Sequence, residues 1–91
     1  EGTDFGGKGK AMSQINEAFG RVFRRLREEK GLSQLAVEAD FGINAKYQSD
    51  IENGKRNVSL KFIVKTANSF GIGVYELMEM VERENMKMPT L

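Results

Sequence analysis

Apolar residues recur at helical spacing along most of this chain, and no stretch shows the alternation of a half-buried strand. Ile15, Phe19, Val22, Phe23 and Leu26 fall at i, i+4, i+7, i+8 and i+11, a single stripe along a first helix predicted over Gln14–Lys30. Ser13 is its expected N-cap and Gly31 its stop. A short second helix is predicted over Gln34–Phe41, capped by Ser33, with Val37 and Phe41 inward. Gly42 permits a sharp turn, because without a Cβ it takes a positive φ at little cost. Asn44 then caps a third helix, Ala45 to about Asn53, which Gly54 ends. Ser59 caps a fourth, Leu60–Phe70, with Leu60, Ile63, Val64, Ala67 and Phe70 inward and Lys61 and Lys65 outward. After Gly71 a fifth helix starts near Val74, buries Leu77, Met78 and Val81, and runs through an acidic, Met-rich segment to about Met86. Met80, Met86 and Met88 either extend the core or meet a second subunit, since Met suits adaptable apolar contacts.

The stretch Leu32–Asn57, with two short helices and a tight corner, is the part around which the rest is organised. Each of its helices is too short to be stable alone, so a larger helical body must hold them. Held in that way, a helix-turn-helix offers its second helix to the DNA major groove while the first lies across the backbone.

Residues 19–78 resemble the lambda-repressor-like (Xre-type) helix-turn-helix regulators, a family that includes phage repressors and restriction–modification controllers. The resemblance rests on Leu26-Arg27, Gly31-Leu32-Ser33-Gln34, Gly42-Ile43-Asn44, Tyr47, Asp50-Ile51-Glu52-Asn53-Gly54 and Arg56-Asn57-Val58-Ser59-Leu60. The spacing from Gln34 to Gly42 to Gly54 matches without gaps. Two positions depart from the pattern: Glu38 stands where the family has a small Ala, and Gln48 where it has Ile or Val. A register with Leu35-Ala36 as the family's Leu-Ala pair would need a compensating deletion and insertion.

The resemblance implies an all-α, five-helix domain that reads DNA through the helix 45–53. Its base-facing positions are Ala45, Lys46, Ser49 and Asp50: Lys46 to donate to guanine, Asp50 to accept from cytosine N4, Ala45 to touch a thymine methyl. It implies phosphate contacts at Ser33, Gln34, Asn53, Lys55, Arg56 and Asn57, where helix N-termini and short polar or cationic side chains favour anions. The plainer reading makes Ser33 and Asn53 caps and the others a solvated turn. Tyr47 either reaches a phosphate or packs on the loop. An ion pair between Arg27 and Glu52 is expected to tie the first helix to the recognition helix. Glu38 and Gln48 would face each other at the helix crossing, either as a hydrogen-bonded pair or with both side chains turned to solvent. A homodimer is expected through Val74, Leu77, Met78 and Val81 with residues of the preceding helix, reading a pseudo-palindromic operator.

Composition narrows this reading without carrying it. The 91 residues, 40% hydrophobic, suffice for one modest core. The net charge of +1 is unevenly placed: residues 12–71 hold ten Lys/Arg against seven Asp/Glu, and residues 72–91 two against four. A basic body with an acidic tail supports nucleic-acid binding only weakly, since whole-chain charge says little about one face. The cluster Arg21, Arg24, Arg25 and Arg27 reads either as a phosphate-binding patch or as a solvated face with one structural arginine. Residues 1–11, with four glycines and no apolar period, read as a disordered, non-native leader before a single domain over 12–91. The alternative there is a flexible arm carrying Lys8 and Lys10. With no His and no Cys, no phosphate-cradling loop after a strand and no acidic cluster at ligand spacing, an enzyme, a metal site and a cofactor have nothing to rest on. The lack of Cys fits a reducing cytoplasm, no run approaches the roughly 18 apolar residues a membrane helix needs, and no small-molecule effector is evident. The competing class is a protein-interaction module of antitoxin type, whose main partner is another protein.

Overall fold

The computed structural model describes residues 10–89, and among them the chain forms five α-helices and no strand. They are α1 (Lys10–Glu29), α2 (Gln34–Phe41), α3 (Ala45–Glu52), α4 (Leu60–Phe70) and α5 (Val74–Lys87). α1 passes through Ser13, which is therefore not an N-cap, and it takes in Lys10 and Ala11, which were expected in the leader. The rest of that leader, including the Lys8 of the alternative arm, lies outside the described residues. The other expected caps form. Ser33 Oγ, Asn44 Oδ1 and Ser59 Oγ accept from the backbone N–H groups of Ala36, Tyr47 and Phe62, each at 3.0 Å. Each satisfies one of the donors a helix start leaves open, at about 1 kcal/mol apiece. α5 follows Gly73, which has no side chain to cap with; Glu76 Oε1 instead reaches back to the Gly73 N–H at 3.0 Å.

α1 is the central element, packing chiefly on α5 and α3, while α4 closes the core against α5 and α1. Its stripe works largely as read: Phe19, Val22, Phe23 and Leu26 are buried and Ile15 is partly so. An aromatic ladder crosses from α1 to α3: Phe23 lies 5.8 Å from Phe62, and Phe62 lies 5.0 Å from Tyr47 in a T-shaped arrangement. Such offset and edge geometries add to the area buried.

That ladder explains where the reading of α4 fails. Phe62, Thr66, Ala67 and Phe70 face the core, Ile63 is partly covered, and Leu60 and Val64 face outward, Leu60 with 75% exposure. Phe62 meets aromatic partners on both sides and so sets the rotation of the helix; Leu60, at its first position, is carried to the surface. In α5, Leu77 and Val81 are buried, whereas Met78 is exposed. Met88 is buried and Met80 packs against the core, but Met86 is exposed. No helix among the described residues is long and apolar enough to cross a membrane.

Candidate nucleic-acid interface

The α2–α3 corner is built by one buried amide. Gln48 is wholly enclosed, and its Nε2 donates to the carbonyls of Ile43 at 2.8 Å and Gln34 at 2.9 Å. The expected Glu38–Gln48 pair is absent, and neither are both side chains out in solvent. Glu38 Oε1 instead accepts from the Ala45 N–H at 3.2 Å, a carboxylate placed at the positive end of α3. The physical reason is that backbone groups take up both side chains: the Ile43 and Gln34 carbonyls accept from the Gln48 amide, the Ala45 N–H meets Glu38, and Gln48 Oε1 is left without a partner. Leu35 is 71% exposed while Val37 is buried, so the ungapped register holds.

α3 is anchored to α1 along its other side. A Cβ added at Gly20 would run into the carbonyl oxygen of Ile51, so the two helices approach backbone to backbone there. Arg27 Nε and Nη2 donate to the two carboxylate oxygens of Glu52 at 2.7 and 2.9 Å, and Nη1 donates to the Leu32 carbonyl at 2.9 Å. Hydrogen bonding to Glu52 pushes the Arg27 pKa further up, which keeps this enclosed guanidinium charged. Gln34 Nε2 joins the same carboxylate at 3.1 Å. Asn16 Nδ2 donates to Asn57 Oδ1 at 2.8 Å, while Asn16 Oδ1 accepts from the Val58 N–H at 3.2 Å, fixing the loop after α3.

The outward side of α3 carries Lys46, with Ala45, Ser49 and Asp50 half-buried beside it. Asp50 does not stand free. Its Oδ1 is 3.1 Å from Lys46 Nζ and its Oδ2 is 3.2 Å from Arg56 Nε. The Lys46 hydrogen bond, then that of Arg56, holds the Asp50 carboxyl below its ordinary pKa. Arg56 also lies over the Tyr47 ring, 5.0 Å from its centroid, so Tyr47 packs between the core and the loop. Lys46, Tyr47, Arg56 and Lys65 line a shallow groove of about 430 Å³ whose floor includes Ile43 and Phe62.

The remaining expected phosphate positions are placed as follows. Ser33 is exposed and caps α2; Gln34 opens α2 and is bonded to Glu52; Asn53 is the C-cap of α3; Lys55 and Asn57 lie in the exposed loop. Three positions that matter to this surface escape a reading of the sequence. Asn16 had a signal, since it shares its helix flank with Gly20 and Phe23 at i+4 and i+7. Gly20 in mid-helix is another, because a glycine there costs helix stability unless packing requires it. Lys65 shows no signal beyond its charge.

Two other expectations are corrected. Leu77 and Val81, at 0% and 1% exposure, belong to the core and cannot present side chains to a second subunit; Val74 and Met78 can, with Tyr75 beside them at 82%. The arginine cluster is neither an open patch nor merely solvated. Arg25 and Arg21 reach the largely buried Glu84 of α5 at 2.6 and 3.4 Å, and Arg24 pairs with Glu28 at 2.9 Å. Part of the acidic tail is thus matched within the chain.

Five helices, with a capped corner presenting a short third helix on a rigid bed, define a lambda-repressor-like helix-turn-helix domain. Residues 18–77 match the family model described as a helix-turn-helix domain. Control protein C.MunI of a Mycoplasma species is 42% identical over 74 residues, covering 80% of this chain and 100% of that protein. The crystal structure of the restriction–modification controller C.AhdI from Aeromonas hydrophila superposes with a TM-score of 0.62 at 40% identity, covering 68% of this chain and 94% of that one. The structure of the controller C.Esp1396I, a tetramer in complex with its natural 35-base-pair operator, superposes at 0.71 with 23% identity over 80% and 96% of the two chains. The chain belongs to the helix-turn-helix transcriptional regulators of Xre type. It is a DNA-binding regulator, not an enzyme.

Proposed function

We propose that this regulator acts in the cytoplasm as a homodimer that reads a pseudo-palindromic operator, each copy setting α3 into the major groove of one half-site. The observation that carries the reading is the outward side of α3, with Lys46 at its first turn and Lys55, Arg56 and Lys65 around it. Ala45, Lys46 and Ser49 face the bases. Ser33, Gln34, Asn53, Lys55, Arg56 and Asn57 grip phosphates, positions that fix orientation without reading sequence. Tyr47 serves this surface as the platform under Arg56. The crystallised operator complex of C.Esp1396I is a tetramer on DNA, which supports assembly of more than one copy on an operator.

The two-fold contact we assign to the outward apolar side chains Leu60 and Val64 of α4 and Val74, Tyr75 and Met78 of α5. One copy offers a single short reading helix, and doubling it supplies the specificity that one half-site lacks. Sedimentation at tens of micromolar should give a dimer; a monomer with and without DNA would rule it out.

Selection of bound sequences from random duplex DNA tests the central claim. It should return two related half-sites in inverted orientation. On the recovered duplex, Lys46→Ala should relax preference at particular base pairs by about 1–3 kcal/mol. Arg56→Ala should weaken all sequences alike and flatten the salt slope by about one unit. Uniform loss in both variants would refute the assigned reading face.

A further inference from the structure

Asp50 is an acidic residue in the middle of the surface assigned to DNA, and its role as argued here rests on that assignment. A carboxylate facing phosphates opposes binding to every sequence alike. The two cations lean on it: the Asp50 side chain is 14% exposed, against 78% for Lys46 and 50% for Arg56. Arg56 is further fixed by the Tyr47 ring, which itself meets buried Phe62 edge to face. The chain therefore holds a fixed negative charge between one cation at a base-facing position and another in the phosphate-gripping loop.

We infer that Asp50 is a positioning and specificity-determining residue, which aims Lys46 at a base edge and withholds it from phosphates. An ammonium has three hydrogens. With one on Asp50 Oδ1, two remain, enough for the paired O6 and N7 acceptors of a guanine. A phosphate to the side of the groove must instead compete with a carboxylate already 3.1 Å from Nζ. On a duplex of arbitrary sequence Lys46 thus stays neutralised and adds little; on the right sequence it keeps its carboxylate partner and gains two acceptors. The same residue binds Arg56 through Nε alone, which leaves both terminal amino groups for a phosphate. The expected direct contact between Asp50 and cytosine is replaced by this indirect role.

Equilibrium binding of Asp50→Asn, Lys46→Ala and the double variant tests the inference, each measured on the selected duplex and on a random duplex from 50 to 200 mM salt. Asp50→Asn should lower the ratio of the two affinities about tenfold, within what one base contact carries. It should also strengthen random-duplex binding, with a salt slope steeper by about one unit, or about fourfold more loss across that fourfold salt range. In the Lys46→Ala background Asp50→Asn should leave the ratio unchanged. An Asp50→Asn ratio equal to wild type, or the same drop with Lys46 absent, overturns the inference while the DNA reading stands. A wild-type protein with no preference among duplexes overturns both. NMR of the wild-type Arg56 Nε–H requires no variant to fold: it should stay protected from exchange on the selected duplex, and loss of protection there would break the proposed clamp.

Discussion

Gln48 offers the sharpest test of how the corner is held. Its two donated hydrogen bonds contribute about 0.5–1.5 kcal/mol each, and its partnerless Oε1 costs about 1–3 kcal/mol in lost hydration. Gln48→Met removes both the gain and the cost at similar length, so its stability should fall within about 1 kcal/mol of wild type. Gln48→Glu keeps the shape and turns the donor end into an acceptor facing two carbonyls. Buried without a donor, the ionised form should lose at least about 3 kcal/mol, the scale of an uncompensated buried charge. Protonation returns one donor, so the folded pKa lies above the unfolded value of about 4.3. The sign follows: the variant should be least stable at pH 7 and regain stability as pH falls toward 5. Urea unfolding followed by circular dichroism at the two pH values measures this. A Glu variant as stable at pH 7 as the Met variant would mean that the side chain at 48 does not have to donate to those two carbonyls, and the account of the corner would fall with it. In the cycle of Glu38→Ala with Gln48→Ile, the absence of a bond between the two predicts effects that add within about 0.5 kcal/mol.

Glu52→Ala strands the enclosed Arg27 guanidinium with the Leu32 carbonyl alone and frees Gln34, and should cost about 3–5 kcal/mol in urea unfolding; a loss under about 1 kcal/mol would show that the pair is not what holds α1 to α3. Glu84, lowered in pKa first by Arg25 and then by Arg21 against its own burial, contributes stability that is complete above its ordinary 4.5 and is lost as pH falls through its lower folded value. Glu84→Gln should therefore flatten the acid limb of a melting-temperature profile, and an unchanged limb would exclude the α1–α5 clasp as its source.

Local signals carried much of this fold. Ser33, Asn44 and Ser59 act on amides three residues away, and the α1 stripe repeats within one helix, so both can be read from neighbours in the chain. The rotation of α4 could not, because it depends on Phe62 meeting Phe19, Phe23 and Tyr47 from other helices. Gln48 was legible as an anomaly but not as a solution, since its partners are backbone carbonyls and every residue has one. Lys46 and Asp50 stand at i and i+4, a spacing that announces a pair. Their assignment as separate base contacts overlooked that pair, and Arg56 joins it only through the turn after α3. For α5, helical spacing shows that Leu77 and Val81 are buried but not against what; packing against α1 gives them to the core rather than to a second subunit, and leaves Met78 and Tyr75 facing out.

α1 bears on α5 through Arg21 and Arg25 and on α3 through Gly20 and Arg27. From Arg21 to Arg27 the axis advances only about 9 Å, at roughly 1.5 Å per residue, a length over which helices scarcely bend. In a dimer seated on α4 and α5, this stiff strut makes the distance between the two reading helices a constant of the protein. The compliance must then come from the DNA. Spacer base pairs that no side chain touches would still be selected, for the ease with which they twist and compress to bring both half-sites to that distance.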